Sequence, residues 1–160
     1  DASLHGSMFV TAHFHYTLMG AGLTGATAAL VYWFPKMTGR MMNEKGSLVS
    51  FLLVQGGFQI LYLGMFIAGA QGQPRRVAAF AQDYSLSNMI STGGAYLIGV
   101  GFIVLLWAVV HSWRHGDIAP MNPWGAKSLE WTVPYPVPLV NFDTPPVVTS
   151  DPYGFGRSEK

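Results

Sequence analysis

The chain has 160 residues, half of them apolar, and only 11% are charged, against roughly 25% in an ordinary soluble domain. A net charge of +1 is too small to draw a chain onto nucleic acid. The absence of cysteine excludes disulfide frameworks, thiolate nucleophiles and Cys-ligated zinc or iron–sulfur sites.

The chain opens at Asp1, without Met and without a basic-then-apolar leader, as expected of a processed chain or of a piece of a longer one. From Met8 to Phe34 only His13 and His15 can take a charge at neutral pH, from Ser47 to Ala70 nothing can, and from Met89 to Trp113 only His111 can. Each run is long enough for a helix to cross a hydrocarbon core about 30 Å thick, which needs about 20 residues. The spacing predicts three transmembrane helices, over about 7–34, 47–70 and 89–113, within a membrane segment 1–113. The first is expected to stop at Phe34-Pro35-Lys36, because proline cannot continue the hydrogen-bond ladder. Eight of the ten prolines and nine of the seventeen charges lie in 114–160, so this tail is read as extended, solvent-exposed chain, with Glu130 and Trp131 as surface anchors. Lys36, Arg40, Lys45, Arg114 and Lys127 outnumber Arg75 and Arg76 across the membrane, which puts the tail on the cytoplasmic or matrix side. Trp33 and Trp113 then sit at that inner interface.

The first helix carries Gly20, Gly22, Gly25, Ala26 and Ala29, and the third Gly93, Gly94, Gly99 and Gly101. Small residues let helix backbones approach closely in lipid. More informative is Ala12-His13-Phe14-His15-Tyr16. Imidazoles at membrane depth point to function, because an unpaired polar group there is costly; two neutral rings hydrogen-bonded across a bundle are the structural alternative. Positions i and i+2 of a helix point about 200° apart and cannot chelate one ion. The pair therefore suits two separate metal centres, one on each side of the helix, and imidazole on a porphyrin iron is a familiar ligation.

Arg75-Arg76 stands at the outer end of the second helix. It is read either as an interfacial flank with snorkelling heads or as two planar forks gripping carboxylates such as haem propionates. His13 and His15 lie toward the same outer face. His5 and Asp1, also on that side, are solvated termini or part of a metal or propionate network. His111 and His115 at the inner end of the third helix are read as interfacial or solvated, and Gln55 and Gln59 as able to hydrogen-bond across the bundle.

The run His5-Gly6-Ser7-Met8-Phe9-Val10-Thr11-Ala12-His13-Phe14-His15-Tyr16 resembles the tenth transmembrane helix of subunit I of the haem–copper terminal oxidases, the cytochrome c oxidases in particular. The likeness continues through Pro74-Arg75-Arg76, the loop between that subunit's last two helices. It extends to Asn122-Pro123-Trp124-Gly125-Ala126, Leu129-Glu130-Trp131 and Asn141-Phe142 near its end. By that resemblance His13 would be the axial ligand of the high-spin haem and His15 one of two axial ligands of the low-spin haem, with Phe14 between the haems. Arg75 and Arg76 would pair with the haem propionates. His5 would match a ligand of a non-redox magnesium ion, with Asp1 in the same propionate network. Two departures stand out: Gly6 replaces the aspartate the family usually has after this histidine, which bears on the magnesium site, and Val77 replaces an aromatic residue after the arginine pair.

The expectation is thus an all-α membrane protein, the last three helices of a twelve-helix bundle plus a Pro-rich tail. The resemblance implies a share in an oxidoreductase and translocase that reduces dioxygen to water with electrons from cytochrome c, coupled to proton movement. It implies two haems, A-type by expectation, and copper held by residues outside this chain. It implies as partners the remaining helices of subunit I, oxidase subunits II and III, cytochrome c and membrane lipid. The bacterial inner membrane is expected ahead of the mitochondrial one. Nitric oxide reductases and quinol oxidases share the histidine pattern, and a small non-catalytic three-helix membrane protein is the alternative from another class.

Overall fold

The computed structural model describes residues 3–135 and 137–147. Three long helices follow one another: α1 (Met8–Thr38), α2 (Glu44–Ala70) and α3 (Ser85–His115), with one-turn 3₁₀ segments at Gln82–Tyr84 and Leu129–Trp131. All three are long and apolar enough to cross a membrane. Among the described residues there is no strand, only two isolated antiparallel bridges, Ser7 with Pro74 and Arg40 with Ile118.

The helix ends are set by capping chemistry. Ser7 Oγ accepts from the Phe9 amide and Asn43 Oδ1 from the Gly46 amide, satisfying donors that an N-terminus leaves free. α1 does not stop at Pro35 as expected: it runs on to Thr38. Pro35 removes one donor in the last full turn, and the turn is closed around it by Thr38 Oγ1 donating to the Phe34 carbonyl at 2.9 Å. The Gly39 amide then donates to the Pro35 carbonyl at 2.8 Å, from a left-handed φ of 70° that a glycine adopts at little cost. α2 and α3 likewise outrun their charge-free stretches: Glu44 suits a first turn and Arg114 and His115 a last turn, and none of them need lie in hydrocarbon.

α2 and α3 pack antiparallel with backbones nearly touching. A Cβ on Gly57 would lie 2.7 Å from the Gly94 carbonyl oxygen, and one on Gly101 would lie 2.6 Å from Val54 Cγ2. Ser50 Oγ, buried in this seam, donates to the Gly101 carbonyl at 2.8 Å. Gly93 and Gly99, one step round the helix, face open space. Small-residue packing therefore holds at half the α3 glycines expected, with Gly57 of α2 opposite Gly94, while Gly64 of α2 lies against Ser87 and Ser91.

α1 is packed differently. At the loop end its Phe9 and Tyr16 mesh with Phe58, Tyr62 and Phe66 of α2. At the opposite end Phe34, Met42, Leu105 and Ala108 form a small core. Between the two lies a gap of about 420 Å³ lined by Thr24, Thr27, Phe51, Val54 and Gln55 among others.

The tail departs from the expectation of exposed chain around 124–135, while 137–147 is exposed almost throughout. Trp131, read as a surface anchor, is 1% exposed, and Val133 and Ala126 are buried. Trp124 Nε1 donates to the Tyr32 carbonyl at 2.9 Å and Trp131 Nε1 to the Tyr32 hydroxyl at 2.8 Å. Lys36 Nζ donates to the Val133 carbonyl and stands 5.4 Å above the Trp131 ring. Tyr135 Oη donates to the Thr38 carbonyl. The prolines straighten the chain, and the aromatic residues between them give it something to bury against the end of α1.

Candidate functional site

The site begins where α1 meets the α2–α3 loop. The Met8 amide donates to the Gln73 carbonyl and the Arg75 amide to the Gly6 carbonyl, both at 2.9 Å. Buried Gln73 exchanges side-chain hydrogen bonds with Asn88 of α3 at 3.0 and 3.4 Å. These bonds set Arg75 and Arg76 at the same end of the bundle as the start of α1. Arg76 holds a φ of 63°, a left-handed conformation that costs a non-glycine residue about 1–2 kcal/mol. Both arginines stand on the short connection between α2 and α3. His5 is exposed on the turn before α1. Asp1 lies outside the described residues.

His13 and His15 sit on the second turn of α1, about 9 and 12 Å along the axis from Ser7 at about 1.5 Å per residue. His15 turns toward α2, where its ring stacks on Tyr62 at 5.7 Å between centroids and 20° between planes. Its Nδ1 lies 2.8 Å from the Thr11 carbonyl oxygen. A carbonyl can only accept, so Nδ1 carries the proton and the free lone pair is on Nε2. His13 is exposed on another face, and no polar side-chain contact holds its ring among the described residues. Phe14, 41% exposed, stands against the His15 ring at 4.2 Å.

This arrangement fits axial ligation of an iron porphyrin. A metal-binding imidazole donates its other ring N–H to a carbonyl or carboxylate, which fixes tautomer and orientation, and His15 does so through Thr11. Among the described residues there is no group of three or more His, Cys, Asp or Glu able to hold a metal ion. A porphyrin brings four nitrogens of its own and asks only axial ligands of the protein, so a single histidine can serve as an axial ligand without any larger cluster around it. His5 has no such group around it among the described residues.

The family described as "Cytochrome C and Quinol oxidase polypeptide I" matches residues 1–97. The chain belongs to this family. It is 40% identical over 156 residues to cytochrome c oxidase subunit 1 of Thermostichus vulcanus, covering 98% of this chain and 28% of that protein. It is 39% identical over 155 residues to the Corynebacterium glutamicum subunit, covering 94% and 26%, and 36% identical over 156 residues to that of Synechocystis sp., covering 98% and 28%. The chain thus spans about a quarter of the length of the subunit I relatives it matches, as a three-helix piece of a multi-pass membrane protein.

Gln59 does hydrogen-bond across the bundle as expected, with Tyr16 as its partner; sequence reasoning missed Tyr62 and the identity of that partner, since both depend on which face of α1 meets α2. It also missed that His111 and His115 stand together, which their four-residue spacing already signalled.

Proposed function

We propose that this chain is the part of a haem–copper oxidase subunit I that holds one axial ligand for each of two haems. Four features support the reading: the pre-set tautomer of His15, its separation in direction from His13, the arginine pair at the same end, and membership of the subunit I family. His15 would hold the low-spin haem through Nε2, with Thr11 orienting the ring and Tyr62 packing against it. His13 would hold the high-spin haem from the proximal side, and Phe14 would stand between the two centres. Arg75 and Arg76 would balance the propionate charge, in which fork geometry matches a carboxylate. His5 would join the magnesium and propionate network, with Gly6 contributing no carboxylate. When bound, two haems, A-type by analogy, and copper held by other helices would supply electron relay and the reduction of dioxygen to water, coupled to proton movement.

The relatives are named cytochrome c oxidases, which favours cytochrome c as electron donor, in complex with oxidase subunits II and III and the remainder of subunit I. Those relatives are bacterial, which favours the bacterial cell membrane. The family description also names quinol oxidases, so quinol is the second reading for the donor.

The observation that carries the proposal is the His15 Nδ1 bond to Thr11. The test is a reduced-minus-oxidised spectrum of the complete subunit I complex, recorded with and without carbon monoxide. His15→Ala is expected to remove the low-spin signal and His13→Ala the carbon monoxide response. Unchanged haem content in both variants would return the histidines to a packing role.

A further inference from the structure

We propose that His111 and His115 form a binding site for a divalent ion of the zinc class at the tail end of α3, apart from the α1 histidines. The two residues are four apart in an unbroken helix, so both side chains leave one face a turn apart. Their ring centroids are 5.3 Å apart with planes at 39°. Two imidazoles on one tetrahedral ion, each nitrogen about 2.1 Å from the metal, bring their centroids to about 5 Å. The pair already stands at chelating separation.

Three further observations point to a ligand. His111 Nδ1 is buried and has no hydrogen-bond partner among the described residues, a condition rare in folded proteins, which leaves Nε2 as the nitrogen that can meet an ion. Trp107 packs against the His111 ring at 5.1 Å between centroids and holds it in place. The site also occupies the last turn of α3, whose unpaired carbonyls favour a cation. Arg114, in the same turn, opposes one, and Asp117 follows just past the helix end. Imidazole nitrogen selects zinc, copper or nickel over magnesium or calcium. With two protein ligands and no larger cluster among the described residues, water completes the coordination and the ion exchanges.

Equilibrium dialysis of the purified intact complex against zinc chloride tests this. His111→Gln and His115→Gln are each expected to bind one equivalent less than wild type. Equal stoichiometry in all three, or a loss in only one variant, overturns the chelate. A second measurement needs no variant. Zinc, and not magnesium, is expected to protect both His111 and His115 of the unmodified complex from diethyl pyrocarbonate, read by peptide mass spectrometry. Equal modification with and without zinc overturns the proposal.

Discussion

An imidazole whose Nδ1 bonds a carbonyl one turn back keeps its remaining lone pair on Nε2, directed away from its own helix. That is the state of His15, and it is reached before any metal arrives, so ligation need not select a tautomer. The neighbouring Tyr16 is held as firmly: its hydroxyl donates to Gln59 Oε1 across the α1–α2 seam. Tyr16→Phe leaves that amide oxygen facing apolar rings, a loss of about 1–3 kcal/mol. The expected outcome is a lower thermal midpoint of the purified complex with the haem absorption bands unmoved. A shift of those bands would mean Tyr16 acts on His15 as the proposed haem ligand and not on packing alone. Much at this scale was legible in the chain. Two histidines in an apolar run announce themselves because hydrocarbon makes them expensive. Trp131 did not, since a tryptophan among prolines and charges carries no periodic signal of the face it buries. Gln59 stood out as a polar residue in an apolar helix, but its partner depended on how α1 and α2 face each other.

At the scale of elements, α2 and α3 behave as one unit because Gly57, Gly64, Gly94 and Gly101 remove the side chains that would separate their backbones. Gly94→Ala forces a methyl to 2.7 Å from the Gly57 carbonyl oxygen, and an overpacked seam costs about 1–3 kcal/mol. Gly93→Ala and Gly99→Ala meet nothing within 4 Å and should be neutral or stabilising by up to about 1 kcal/mol, the helix-propensity gain. Thermal denaturation of the three variants side by side checks this, and equal losses would show that helix propensity and not contact governs α3. Helix existence was readable from the uncharged runs alone. The ends were not, because charge marks where hydrocarbon stops, whereas capping by Ser7, Asn43 and Gly39 decides where the helix stops. Pro35 shows the same limit: its missing donor costs one bond, and its neighbours make up the turn.

For the molecule as a whole, the tail is a fastening of α1. Trp124 and Trp131 both bond Tyr32, and Tyr135 reaches the Thr38 carbonyl. Truncating a fully buried aromatic costs about 3–5 kcal/mol, so Trp131→Ala should release the segment around it. Trypsin is then expected to cut after Lys127 much faster than in wild type while the helices stay intact; an unchanged cleavage rate would mean that the other tail contacts hold alone. The opposite end of α1 is fastened too, by the Gly6–Arg75 and Met8–Gln73 backbone bonds. Between these fastenings α1 is locked to α2 around Tyr16 and faces the gap only from Thr24 onward. His13 and His15 leave the same locked turn of one helix. Any rotation of that turn moves both imidazoles together, so the two proposed centres cannot be tuned independently along α1. The azimuth of one rod, clamped at Gly6 and at Tyr32, sets the compromise for both.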